Sequence, residues 1–85
     1  MDKHDEVRES FPGDALRAAV PDNHEANESI DGIEAELQRP APRRAFLEQH
    51  VGALRSVREL EARIANWWDR PSTQEFIDDL GRIGL

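Results

Sequence analysis

Between Pro42 and Pro71 the chain carries no proline, and this stretch most constrains what it can fold into. From Arg43 to Asp69 only Gly52 weakens an otherwise helix-compatible run. Its apolar residues are Phe46, Leu47, Val51, Leu54, Val57, Leu60, Ile64, Trp67 and Trp68, and from Leu47 to Trp67 they recur at steps of three and four. That spacing predicts one amphipathic helix. At about 1.5 Å per residue it would be roughly 40 Å long. The chain has only 85 residues, enough for one domain that buries about 60% of its unfolded surface. Such a helix outruns the core available to it. The expectation is one long central helix, with a break near Arg55-Ser56 as the point of relief, or else apolar surface left over for a second copy or another protein.

The flanking segments read as shorter helices. Asp22 and Asn23 are both competent N-caps, and Glu25 follows Asp22 at capping-box spacing. Ala26, Ile30, Ile33 and Leu37 then form one stripe, broken in propensity by Gly32 and ended by Pro40 and Pro42, which predicts a helix over 23–38. Pro42 suits the first turn of the next helix. Ser72 and Glu75 have capping-box spacing ahead of Phe76, Ile77, Leu80 and Ile83, with Gly81 or Gly84 as the stop. Residues 14–20 have room for one or two turns, with Asp14 as the cap and Pro21 as the end. Residues 1–13 are mostly charged, which predicts a flexible acidic N-terminal arm with transient helix at Glu6–Phe11. No segment alternates with the period of a strand. The predicted fold is all-α: an antiparallel helical bundle of three to four helices with a long central helix, in a single helical domain over 14–85.

Charge narrows the class of partner. The formal net charge is −7, with 11 Lys+Arg against 18 Asp+Glu. Residues 1–40 carry four basic and eleven acidic side chains, and residues 41–85 carry seven of each, so the imbalance belongs to the first half. An acidic total argues against nucleic-acid binding, which needs a basic footprint. No apolar run approaches the ~20 residues of a membrane span. The first residues are acidic without an apolar stretch, unlike a secretory signal, so a cytoplasmic protein is expected.

No constellation suggests catalysis. There is no cysteine and no Glu-x-x-His, and His24 with Glu28 makes only two potential metal ligands. His50 reads as a half-buried polar residue of the long helix. Asp78-Asp79 are adjacent and diverge by about 100° on a helix. No enzyme activity, cofactor or metal is expected. Two features point instead to binding. Trp67-Trp68, flanked by Arg63 and Arg70, combines the residue types enriched at interface hot spots; the plainer reading packs both rings under Phe76 and Ile77. Glu25, Glu28, Asp31 and Glu34 line one side of the predicted helix 23–38, as a solvated face or as an acidic docking surface, with the arginines of 41–63 as an internal complement. Arg43-Arg44, unfavourable at a helix N-terminus, is expected to pair with Glu36 or Glu48 or to face a partner.

The stretch Ile33-Glu34-Ala35-Glu36-Leu37-Gln38-Arg39-Pro40-Ala41-Pro42, continuing to Val57, resembles the helix–proline turn–helix module of small uncharacterised prokaryotic helical proteins. Similar segments form helical appendages of defence or toxin–antitoxin proteins. The resemblance implies a role in assembly or regulation and carries over no catalytic residue. The expected function is a small protein–protein interaction module, self-associating as a homodimer or adaptor-like, with Trp67, Trp68, Arg63, Arg70, Glu25, Glu28 and Asp31 as its contact residues. The alternative is an acidic antitoxin-like or inhibitor protein that occupies a basic site on a toxin, nuclease or DNA-binding protein.

Overall fold

A computed structural model of the chain describes residues 3–82. Six α-helices follow one another: α1 (Lys3–Ser10), α2 (Gly13–Ala19), α3 (His24–Gln38), α4 (Arg44–Arg55), α5 (Glu61–Trp68) and α6 (Pro71–Arg82). Among the described residues there is no strand. The expected all-α class holds, with more and shorter helices than expected.

The helix of 23–38 forms as its sequence dictates. Asn23 is the cap, its Oδ1 accepting the Ala26 backbone N–H at 3.0 Å. Asn27 Nδ2 donates to the carbonyls of Val20 at 2.9 Å and Asn23 at 2.8 Å, tying the end of α2 to the first turn of α3. At the far end the Pro40–Pro42 turn folds α4 back along α3. Glu36 bonds Arg43, Gly32 lies beside His50, and Asn23 and Ala26 share a small concavity with Ala53 and Val57. Partners thus descend on one helix as they ascend on the other, the register of an antiparallel pair.

The long central helix is broken, at the expected point of relief near Arg55-Ser56. The chain leaves α4 after Arg55 and resumes as α5 at Glu61. Between them the backbone bonds tighten to three-residue closures: Ser56 N to Ala53 O at 3.3 Å, Val57 N to Leu54 O at 3.0 Å and Leu60 N to Val57 O at 3.0 Å. The reason lies in the apolar spacing. Val51, Leu54, Val57 and Leu60 follow at three successive steps of three, and each such step turns the stripe back by about 60° on a helix of 3.6 residues per turn. On a straight helix Val51 and Leu60 would therefore face opposite sides. Both are buried, at 2% and 0% exposure, which a break allows. Ser56 Oγ also donates to the Gly52 carbonyl at 3.2 Å, a side-chain bond that competes with the helical ladder. Freed of its length, α5 folds beside α4, and α6 packs on both.

The acidic arm is likewise not free. Lys3–Ser10 is a helix, and Val7 and Phe11, four residues apart, are buried at 0% and 9% exposure. They dock α1 on α6 and α3. His4 Nε2 lies 2.6 Å from the Leu37 carbonyl, one of the acceptors the end of α3 leaves open, and its ring stacks on Phe76 at 5.2 Å. Two well-placed apolar residues and these polar bonds outweigh the arm's charged composition.

Smaller boundaries shift too. α2 begins at Gly13, so Asp14 lies inside its first turn instead of capping it. α6 begins at Pro71, its first helical bond running from Gln74 N to Arg70 O at 2.9 Å. Proline fits that first position well, so Ser72 is inside the helix and is not its cap. Gly81 lies within α6 and does not end it; Ile83 and Gly84 lie outside the described residues. One core results, drawn from every helix: Val7, Leu16, Ile30, Ile33, Leu37, Leu47, Leu54, Leu60, Ile64, Trp67 and Ile77 are all essentially sealed from solvent. The radius of gyration, 12.2 Å, is close to the value of about 12 Å for a packed domain of this length.

Candidate interaction surfaces

Trp67 is a core residue. It is 1% exposed. Phe11 meets it edge-on with ring centroids 4.8 Å apart. Its Nε1–H donates to Ser10 Oγ at 3.1 Å and to the Val7 carbonyl at 3.3 Å. The ring is therefore covered by α1 and Phe11, and it is not an exposed anchor. Phe76 stacks on His4. Trp68 is half-buried, its ring 5.9 Å from that of Trp67, and it lines a separate concavity of about 320 Å³ with Ile77, Val51 and Arg55. The two tryptophans thus serve different surroundings.

Arg63 and Arg70 are exposed. They rim a cavity of about 210 Å³ at the junction of α1, α2 and α5, whose other walls are Ser10, Pro12, Ala15, Asn66 and the edge of Trp67. No carboxylate lines it. Arg63 Nη1 donates to the Ala15 carbonyl at 3.5 Å, and neither Arg63 nor Arg70 has a carboxylate within ion-pair distance among the described residues. Arg58, exposed in the α4–α5 turn, is in the same position. Ser10 and Asn66 were not anticipated from sequence. Asn66 was within reach of pattern reasoning, because 63, 66 and 70 are spaced three and four apart, as on one helical face. Ser10 was not, because only the docking of α1 brings it there.

The other arginines whose side chains are described are engaged. Arg17 of α2 reaches across to α3, donating to Asp31 Oδ1 at 2.5 Å and to both oxygens of Glu34, one of them at 3.2 Å. These bonds hold its guanidinium above its ordinary pKa, with Glu34 the larger cause and Asp31 the next. Asp31 is therefore already occupied. The arginine that binds it comes from α2; among the described residues none of the arginines of 41–63, expected as the internal complement, pairs with Glu25, Glu28, Asp31 or Glu34, and Arg43 goes to Glu36 instead. Arg43 makes a three-bond contact with Glu36: its backbone N–H at 2.9 Å, Nε at 3.2 Å and Nη2 at 3.0 Å. Arg39 adds an ion pair at 3.2 Å. Burial pushes the Glu36 carboxyl up, but the bonds from Arg43, together with the charges of Arg43 and Arg39, outweigh it, and the net displacement is downward. Arg44 pairs with Glu48 at 2.6 Å. The expected partners of Arg43-Arg44 are thus the observed ones.

Glu25 and Glu28 are exposed, with no ion pair among the described residues. Glu25 shares a shallow, open concavity of about 550 Å³ with Asp22, His24 and Glu59, where the α2–α3 turn meets the α4–α5 turn. Among the described residues, no group of three or more His, Cys, Asp or Glu could hold a metal ion. Among the described residues, no helix is long and apolar enough to cross a membrane. The leftover apolar seam expected of a long central helix is absent: Phe46, at 40%, is the exposed large apolar side chain of the described residues, and Arg43 lies over its ring at 3.8 Å. Compared with known proteins, the chain matches no family model, no curated protein and no solved structure.

Proposed function

We propose that the chain is a non-catalytic, adaptor-like protein-interaction module of the cytoplasm, and that its contact surface is the patch formed by Arg63 and Asn66 of α5 and Arg70 of the turn that follows it. The observation that carries this reading is the contrast among its arginines. Arg8, Arg17, Arg39, Arg43 and Arg44 are matched to carboxylates of the chain, whereas Arg63 and Arg70 stand at an exposed cavity with none. Arginine at a partly apolar rim is a common interface anchor. The sealed core supplies a rigid base for it and leaves little apolar surface for self-association. A photo-crosslinking residue placed at exposed Asn66 tests this in the native cells. A discrete protein adduct there, absent when the same residue replaces exposed Ala45 on α4, is the expected result; adducts at neither position overturn the reading.

The inhibitor or antitoxin-like reading draws support from a different surface, the exposed Glu25, which shares a concavity with Asp22 and Glu59, and Glu28 on the same helix, neither in an ion pair among the described residues. It requires a basic partner whose binding weakens steeply with salt and is lost on Glu25→Gln and Glu28→Gln together, with Arg63→Gln neutral.

A further inference from the structure

The chemistry of the α1–α2–α5 cavity points to its occupant. We propose that it receives the carboxylate of a glutamate side chain presented by a partner protein, with Arg63 and Arg70 as the charged clamp and Asn66 as an added donor. This rests on the interaction-module reading above and names what that surface recognises.

Four observations carry it. The polar side chains of the wall are Ser10, Arg63, Asn66 and Arg70, and none is anionic. Ser10 is already spoken for, its hydroxyl donating to the Val7 carbonyl at 3.0 Å and accepting from Trp67, and Arg63 Nη1 reaches the Ala15 carbonyl at 3.5 Å, which leaves the rest of the Arg63 guanidinium, the Arg70 guanidinium and the Asn66 amide as donors open to a guest. Guanidinium groups match carboxylate geometry and form charge-assisted bonds to it. The remaining walls, Pro12, Ala15 and the Trp67 edge, are apolar, a surface suited to the methylene stem of glutamate. The volume of about 210 Å³ is below the roughly 300–1,000 Å³ of pockets that enclose small-molecule ligands, and it suits a single side-chain tip.

The surroundings select a carboxylate on a protein over a polyanion. Glu9 and Asp14 are exposed immediately beside the lining residues Ser10 and Ala15, and the whole chain carries −7. A nucleic acid or an anionic membrane would bring many charges against that field. One glutamate among neutral or basic neighbours meets the arginines without that repulsion.

The test uses the full chain, labelled with ¹⁵N. The probe is a capped alanine pentapeptide with a central glutamate, set against the same peptide with glutamine. The expected result is a saturable shift of the Trp67 indole N–H and of the Arg63 and Arg70 Nε–H signals with the glutamate peptide and none with the glutamine one. Arg63→Gln and Arg70→Gln are each expected to weaken binding by about tenfold. Arg58→Gln, the same change of charge at an exposed arginine outside the cavity, leaves it unaltered. The proposal is overturned if the glutamine peptide binds equally, if Arg58→Gln weakens binding as much as Arg63→Gln, or if inorganic phosphate saturates the same signals at lower concentration than the glutamate peptide. Concentration-dependent light scattering that Arg63→Gln abolishes also overturns it, because the occupant is then a second copy. Failure here with a persistent Asn66 adduct removes the glutamate assignment and leaves the module reading standing.

Discussion

Among the described residues Glu36 is the buried charged side chain. It is 5% exposed, it takes the Arg43 backbone and guanidinium together, and it closes the turn between α3 and α4. Its carboxyl is held below the ordinary value of about 4.3 for glutamate. A carboxylate whose folded-state pKa is lowered contributes stability that is present above the unfolded value and lost as pH falls through the folded one. Glu36→Gln is therefore expected to cost about 1–3 kcal/mol at neutral pH, and the difference from the parent should shrink in acid. Urea denaturation of both proteins across that pH range measures it. Thr73 is the opposite case. Its hydroxyl is fully buried with no hydrogen-bond partner in the described structure. Thr73→Val keeps the branched shape and removes the unmet polar group, so a gain of about 1 kcal/mol in the same assay is expected.

At the scale of elements, α3 and α4 meet at a glycine. A Cβ on Gly32 would lie 2.6 Å from His50 Nε2 and 2.8 Å from Cε1, so Gly32 is where the two helices come close enough to seat the imidazole. Helix propensity alone favours Gly32→Ala by about 1 kcal/mol. The expected outcome has the other sign, a loss of about 1–3 kcal/mol from overpacking. In a His50→Ala background the same substitution should become stabilising, and the reversal in a thermal melt is the check. α1 depends on few contacts. Val7→Ala removes two buried methyl groups, worth about 2 kcal/mol. Because Trp67 is shielded by α1, its emission should move to the red before the main unfolding transition in denaturant. The break between α4 and α5 was legible in the sequence: it falls at Arg55-Ser56, the expected point of relief, and the three successive steps of three from Val51 to Leu60 supply its reason. The docking of α1 was not, because Val7 and Phe11 acquire meaning only when α6 and α3 offer them a place.

The whole molecule carries its excess charge unevenly, and much of it is unpaired. Glu6, Glu9, Asp22, Glu25 and Glu28 are exposed, while Asp31, Glu34 and Glu36 are bound. Long-range repulsion among the unpaired carboxylates is screened by salt, and single exposed ion pairs are worth little to begin with. Raising ionic strength from low to physiological should therefore lift the melting temperature by a few degrees, corresponding to about 1 kcal/mol. A fall would mean that the ion pairs of Arg17 and Arg43 dominate the balance.

The sequence by itself determined the class of fold, the position of α3 and the proline turn into α4, and it narrowed the cap of α3 to Asp22 or Asn23 and the contacts of Arg43-Arg44 to Glu36, Glu48 or a partner. These depend on residues close along the chain, where caps, prolines and helical periodicity act locally. Only the tertiary structure decided which tryptophan is sealed, which acids are free and where an unpaired arginine face lies. Trp67 is closed by a helix sixty residues away in sequence, and Asp31 is taken by Arg17 from a different element. Local rules place a side chain on a face. What meets that face depends on how distant segments compete to bury their own apolar groups, and here α1 won a place that its charge argued against.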